Sequence, residues 1–306
     1  MDLENAVKKI NHRNWSVLSG EWLSYIPKIY PVGIASETSV SDHLTFQEIG
    51  KKLVETDNHR YREEVPSTRE LLFWEGTYLL HKASHAIGAA ESHANNGIHT
   101  WALSSAYQGA MFGIKAIMNM LGISLAEHNN KGIIANVWPE PKKLSRNQIR
   151  VGLTNEPEME FLLVDHRIEQ RNLWRTFQRI LDVSKVHIWP PDHIKALRKL
   201  NIGEFAWQRN QIHYHDNKWI CDDLHKFASG DNFGTPTNGI LKALDFSKNT
   251  KDFSLVLALL ILKLGFLLFE SIADLTNKLN PEKELLLSLI KNQVRHPIYL
   301  HATNSF

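Results

Sequence analysis

The stretch Trp101-Ala102-Leu103-Ser104-Ser105-Ala106-Tyr107-Gln108-Gly109-Ala110-Met111-Phe112-Gly113-Ile114-Lys115-Ala116-Ile117-Met118-Asn119-Met120-Leu121-Gly122-Ile123 decides the fold class. Ala102, Ala106, Gly109, Ala110, Gly113 and Ala116 are small. Trp101, Leu103, Tyr107, Met111, Phe112, Ile114, Ile117, Met118 and Leu121 are large and apolar. Small side chains let neighbouring helices approach closely, so the pattern predicts a central helix over about 100–121, packed on several sides. Gly122 is well placed as its C-terminal stop.

The pattern continues outward on both sides. Pro66-Ser67-Thr68 opens a long helix in which Ser67 is the expected N-cap and Glu70, three residues on, completes a capping box. It runs to about Ala94, where Asn95-Asn96-Gly97 ends it. Residues 131–166 change character. Lys131 to Trp138, Gln148 to Leu153 and Glu160 to Val164 are short and rich in strand formers, with Pro139, Pro141 and Pro157 between them. They predict a small β insert. Helical patterns return at about 167–183, 191–200 and 204–217, and a glycine-bearing loop follows over 222–250. Helices at about 252–279 and 281–294 close the chain, with Pro281 suited to a first turn. Residues 1–30 read as helical, and 31–66 as connection with short elements. The expected class is mostly α with a minor β element. The expected division is an N-terminal helical extension, 1–66, and a helical domain, 67–300, carrying the insert at about 131–166.

Composition sets the outer limits. The chain has 306 residues, 43% hydrophobic and 22% charged, which excludes a disordered or low-complexity protein. A net charge of +2 excludes a strongly basic protein but leaves room for a local basic patch. The one cysteine, Cys221, cannot form an internal disulfide or a cysteine-based zinc site. A polar start and a single thiol make the cytoplasm the expected location. The most apolar run, Leu255 to Phe269, is fifteen residues long and interrupted by Lys263. A bilayer span needs about 20 apolar residues, so this run reads as a buried core helix and no membrane partner is expected.

Two segments carry chemistry. Arg167, Arg171, Arg175 and Arg179 are spaced by four, and each such step on a helix advances ~40° around the axis and ~6 Å along it. Leu173, Trp174, Phe177, Ile180 and Leu181 fall on the opposite side. The row reads either as a guanidinium track for a phosphate backbone or as a solvated face partly neutralised by Glu169 or Asp182. The second segment is Trp207-Gln208-Arg209-Asn210-Gln211-Ile212-His213-Tyr214-His215-Asp216-Asn217. Arginine can stabilise charge building on phosphorus, and histidine exchanges a proton near neutral pH. RNA supplies its own 2′-hydroxyl nucleophile, so neither a protein nucleophile nor a metal is needed. The products would be a 2′,3′-cyclic phosphate and a 5′-hydroxyl. The bland alternative is a polar helix end near the surface.

Histidine is abundant, with 16 copies. His213 and His215 could together ligate a metal, but residues two apart diverge by ~200° on a helix, so that requires a strand or turn. His81 and His85 lie four apart, yet Lys82-Ala83-Ser84 between them lacks the glutamate of an HExxH metalloprotease motif. Neither a metal site nor a cofactor is expected.

The small-residue helix, with its Ser-Ala-Tyr, Phe and Lys-Ala core and its Leu-Gly-Ile end, together with Arg209-Asn210 followed by His215, resembles the HEPN superfamily. The Arg-to-His spacing fits the family's Arg-polar-x(4–6)-His motif. The β insert after the second helix is similar to that of YaaC-like members. The likeness covers roughly residues 67–225, and residues 1–66 match no named pattern. The resemblance implies an HEPN-like helical bundle that often dimerises, so that the Arg/His segments of two protomers form one RNA-cleaving cleft. It also implies a bacterial defence, toxin–antitoxin or RNA-processing setting, with an antitoxin or defence-complex protein as partner. Arg209 matches the family's arginine, Asn210 its polar residue and His215 its histidine. His213 sits better beside Arg209 on an ideal helix and stays as the alternative. Many members have lost activity and act as binding modules. The expected function is therefore a metal-independent endoribonuclease, with an inactive RNA-, nucleotide- or protein-binding module as the alternative. A structural subunit using residues 252–295 as an interface is a third reading.

Overall fold

The computed structural model describes residues 5–6, 15–29, 44–56, 59–63, 66–96, 98–139, 146, 158–199 and 253–293. The class is mostly α with a small β element, as the sequence predicts. Helices α1 (Trp15–Ile29) and α2 (Leu44–Glu55) come first, followed by strand β1 (Arg60–Glu63). Two long helices follow, α3 (Pro66–Asn95) and α4 (His99–Met120). Strands β2 (Ile123–His128), β3 (Lys131–Asn136) and β4 (Met159–Val164) precede α5 (Gln170–Val183) and α6 (Pro191–Lys199). Helix α7 (Phe253–Ala273), a short 3-10 turn (Asn277–Leu279) and α8 (Asn280–Gln293) complete the described chain. Among the described residues, no helix is long and apolar enough to cross a membrane. The chain divides into two compact units, Met1–Glu75 with Met118–Val186, and Gly76–Ile117 with His187–Phe306.

The first unit is built on an antiparallel sheet of order β1-β4-β3-β2. All six residues of β4 are buried, which fits a central strand covered on both faces. β2 and β3 form a hairpin in which His128 pairs Lys131. Between them Asn129 and Asn130 have φ of 49° and 60°. Two left-handed residues match the twist of paired strands, and asparagine tolerates that conformation better than most side chains. β1 is one of the two edge strands, and its charged side chains suit that place. Arg62 pairs across the ladder with Glu160, whose side chain is only 2% exposed, at 2.9 Å. Arg60, two residues along on the same face, also bonds Glu160. The paired guanidiniums satisfy a carboxylate that would be costly to bury alone.

Helices close over this sheet through specific bonds. Trp22 of α1 is fully buried and donates its indole N–H to the Met120 carbonyl at 2.8 Å, satisfying a carbonyl left open at the end of α4. Its ring lies 5.4 Å from Phe73 and 5.2 Å from Trp138. Arg69 of α3 is also buried. Its Nε donates to the Val137 carbonyl at 3.0 Å and an Nη donates to the Glu158 carbonyl at 2.8 Å. The guanidinium stacks over Trp138 at 4.8 Å.

The second unit is a helical assembly with apolar seams. A Cβ on Gly109 would lie 2.7 Å from Ile87 of α3, and one on Gly113 would lie 2.6 Å from Ile261 of α7. A Cβ on Gly265 would meet Leu80 at 2.5 Å. The small residues of α4 therefore mark real close approaches, as the sequence pattern predicts. α7 is buried almost throughout, so the apolar run reads as core. Trp101 is the departure, since it is 52% exposed beside exposed Ile98 at the start of α4.

Several boundaries differ from expectation. α3 begins at Pro66, one residue before the expected cap Ser67. Residues 44–55 form a helix and 60–63 a strand within the stretch read as connection with short elements. The sheet reaches beyond residues 131–166, since β1 and β2 both join it. The expected strand at 148–153 and the expected helix at 204–217 lie outside the described residues. Gly122 does end α4, with φ of 78° and its N–H bonded to the Asn119 carbonyl at 2.9 Å. A Cβ there would sit 2.5 Å from Trp138. Gly122→Ala is expected to lower unfolding stability by about 2 kcal/mol or more, combining left-handed strain with overpacking. Urea denaturation checks this, and a change within roughly 0.5 kcal/mol would contradict it.

Candidate nucleic-acid interface

α5 is a strongly two-sided helix. Leu173, Trp174, Thr176, Phe177, Ile180 and Leu181 are buried. Trp174 and Phe177 meet edge to face at 6.4 Å beneath it. Arg171, Arg175 and Arg179 are exposed on the other side. From Arg171 to Arg179 the helix rises by about 12 Å. Arg179 lies 4.0 Å from Asp182, with both side chains nearly half exposed, and such a pair contributes little. Arg171 and Arg175 are exposed and have no ion-pair partner among the described residues.

The predicted row of four arginines is corrected to three. α5 starts at Gln170, with Glu169 in extended backbone as its N-cap. Arg167 therefore precedes the helix, and its Nε donates to Glu127 of β2 at 2.7 Å. The cause is the sheet. Gly132 donates its N–H to the His166 carbonyl at 3.0 Å, and Ile168 covers the space beside Gly132. Residues 166–168 are thus tied to β3 before the helix can begin.

The aromatic residues of α5, Trp174 and Phe177, lie on its buried face, so the arginine face of this helix offers phosphate contacts without a stacking platform of its own. The surface suits a backbone-directed, sequence-independent contact. Arg209, Asn210, His213 and His215, the expected catalytic residues, lie outside the described residues.

The other histidines have local explanations. His81 is partly buried, 6.3 Å from the Tyr78 ring. Burial, and then the neighbouring His85, push its pKa down. Among the described residues no three metal-ligating side chains cluster. His193, at the start of α6, is the most perturbed of them. Burial first, and then the charge of Lys263, push its pKa down to about 4. Its Nδ1 is buried without a hydrogen-bond partner.

Comparison of the chain with known family models, curated proteins and solved structures returns no match.

The histidine shift has a definite sign. Unfolded, His193 takes a proton below its ordinary value of 6.5, whereas folded it resists until about 4. Between these values the unfolded state binds more protons, so stability is full above the upper value and falls on acidification. Thermal melts should therefore show a declining midpoint from about pH 7 to about pH 5, and His193→Gln should flatten part of that decline. An unchanged slope in the variant would contradict the assignment.

Proposed function

We propose that this protein is a metal-independent endoribonuclease of the HEPN kind, acting in a bacterial defence or toxin–antitoxin setting. The observation that carries the reading toward RNA is the solvent-facing arginine row Arg171, Arg175 and Arg179 on a helix whose opposite face is core. Arginine suits phosphate because its planar fork donates two hydrogen bonds at once and keeps its charge at any physiological pH. The row holds the RNA backbone, and the Arg209–His215 segment performs the chemistry.

In that chemistry a histidine, His215 or His213, accepts the proton of the 2′-hydroxyl. The oxygen attacks the adjacent phosphorus, and the bond to the 5′ oxygen breaks. Arg209 stabilises the charge on the five-coordinate phosphorus, and Asn210 orients the phosphate or the histidine. The leaving oxygen takes a proton, giving a 2′,3′-cyclic phosphate and a 5′-hydroxyl. By resemblance, two protomers supply the two sides of the cleft in a cytoplasmic homodimer. A second reading, an RNA-binding module without turnover, rests on the same arginine face, because that face binds phosphate without requiring any reaction.

Two measurements separate these readings. Labelled RNA incubated with EDTA should be cut, and Arg209→Ala or the double change His213→Ala/His215→Ala should lower the rate by about 100-fold or more. Cleavage that survives these changes would sink the catalytic assignment. Binding without cleavage in the unaltered protein would favour the module. The triple reversal Arg171→Glu, Arg175→Glu and Arg179→Glu should abolish RNA binding with the far-ultraviolet circular dichroism unchanged. Removing one arginine should reduce the slope of log affinity against log salt by about 0.7 for single-stranded RNA. An unaltered slope would mean that RNA binds elsewhere.

A further inference from the structure

β2 closes the sheet on the side opposite β1, and the ladder shows which of its main-chain groups face outward. The Val137 N–H bonds the Gly122 carbonyl at 2.8 Å. In an antiparallel ladder hydrogen-bonded pairs alternate with non-bonded ones, so Ser124, Ala126 and His128 turn their main-chain groups toward β3. Ile123, Leu125 and Glu127 turn theirs away from it. Ile123 is fully buried, whereas Leu125 is half-buried and Glu127 is exposed. Among the described residues, the outward main-chain groups of Leu125 and Glu127 have no main-chain partner.

The two edges of the sheet differ in what they accept. Sheet edges are ordinarily protected by lysine, proline, a bulge or an inward charge. On β1, Arg60 and Arg62 share one face. Any antiparallel pairing of β1 with its own copy about a two-fold axis sets arginine against arginine, which is destabilising. β2 reads Ile-Ser-Leu-Ala-Glu-His, with neither lysine nor proline. Two-fold pairing centred on Ala126 sets Ala126 against Ala126 of a second copy, and Leu125 against its Glu127. The axial pair is a non-hydrogen-bonded one, where strands come closest, and alanine is small enough for that place. Each Glu127 is already held by Arg167 of its own chain at 2.7 Å, so no uncompensated like charges meet. The register makes no demand on buried Ile123.

We propose that two copies of this protein associate through β2, antiparallel about a two-fold axis at Ala126, so that their two four-stranded sheets become one. Leu125 and Glu127 of each copy exchange main-chain hydrogen bonds with Glu127 and Leu125 of the other. This is strand addition at a sheet edge, in which main-chain bonds give the affinity. On one face α2 lies against the hairpin, where a Cβ on Gly50 would sit 3.0 Å from Ile133 and 3.2 Å from His128. The two copies of α2 therefore flank the axis and add side-chain contact. On the other face Glu127 stands opposite Gly132, and the chain passes over them through Arg167 and Ile168 into α5. An axis perpendicular to the sheet keeps that face on one side, so both copies of α5 begin on the same side of the joined sheet. The second copy thus adds its own Arg171, Arg175 and Arg179 to the surface assigned to RNA. That last consequence rests on the RNA reading, whereas the strand pairing does not.

The test uses the full-length protein. Light scattering after size exclusion at about 50 μM, which populates a complex of micromolar affinity, should give the mass of a dimer. Leu125→Pro removes an N–H that only the pairing uses, and an edge strand tolerates proline there. It should give a monomer with unchanged far-ultraviolet circular dichroism. Ala126→Cys, in a Cys221→Ser background, provides an arm that leaves the strand's hydrogen bonds in place. The Cα atoms of a non-hydrogen-bonded pair lie about 4.5 Å apart, within disulfide reach, so mild oxidation should link two copies about tenfold faster than with Glu63→Cys on β1. A monomeric unaltered protein overturns the proposal. So does a dimer that Leu125→Pro leaves intact, or an Ala126→Cys rate no higher than that of Glu63→Cys. RNA binding by a monomer would leave the RNA reading standing without this interface, and a β2-linked dimer that binds no RNA would remove that reading alone.

Discussion

The helical unit depends on the absence of side chains at a few points. α3, α4 and α7 meet where Gly109 faces Ile87, Gly113 faces Ile261 and Gly265 faces Leu80. Each branched side chain occupies the volume that a Cβ would need, so the seams are filled from one side only. Interiors are packed at crystal-like density, so an added methyl must displace its neighbour. Glycine within a helix costs roughly 1 kcal/mol against alanine. The close contacts it permits along three helices must offset that cost, since many small dispersion gains accumulate across such a seam.

The sheet unit is held differently, by donors aimed at main-chain carbonyls. Trp22 bonds the carbonyl of Met120, and Arg69 bonds those of Val137 and Glu158. These are groups that chain ends and strand exits leave open. Trp138 links the two donors, because it meets the ring of one and the guanidinium of the other. The same residue fills the space beside Gly122, so one indole joins a helix end, a buried cation and a strand exit.

The sequence was most informative where periodicity and burial coincide. The small face of α4, the partition of α5 and the apolar length of α7 follow directly from residue spacing. β1 and β2 were not legible because their sequences, Arg-Tyr-Arg-Glu and Ile-Ser-Leu-Ala-Glu-His, carry little strand preference of their own. Their identity comes from the partner strands. The pair Asn129-Asn130 was the available clue to β2, since two such residues suit a tight hairpin. α2 was read only as a short element of a connection, because its buried apolar residues Ile49 and Leu53 stand among charged neighbours. Arg167 kept the helical spacing but not the helix, because a bond to β3 lies outside any local pattern. Lys263 was visible as an interruption of an apolar run. His193, whose pKa its charge helps to lower, lies 70 positions earlier in the chain, and no spacing rule connects them.

The edge of the sheet has a consequence for how the chain reaches its native state. Arg60 and Glu160 are 100 residues apart, and the strand that β1 joins is also the last of the four to be synthesised. Closing a loop of that length before any reward is gained slows folding and raises contact order. On a ribosome β1 must wait, unpaired, while α3 and α4 are made. Its two arginines keep that waiting strand charged, which discourages pairing with the wrong chain. The arginines that neutralise Glu160 in the finished protein thus also serve as gatekeepers during synthesis.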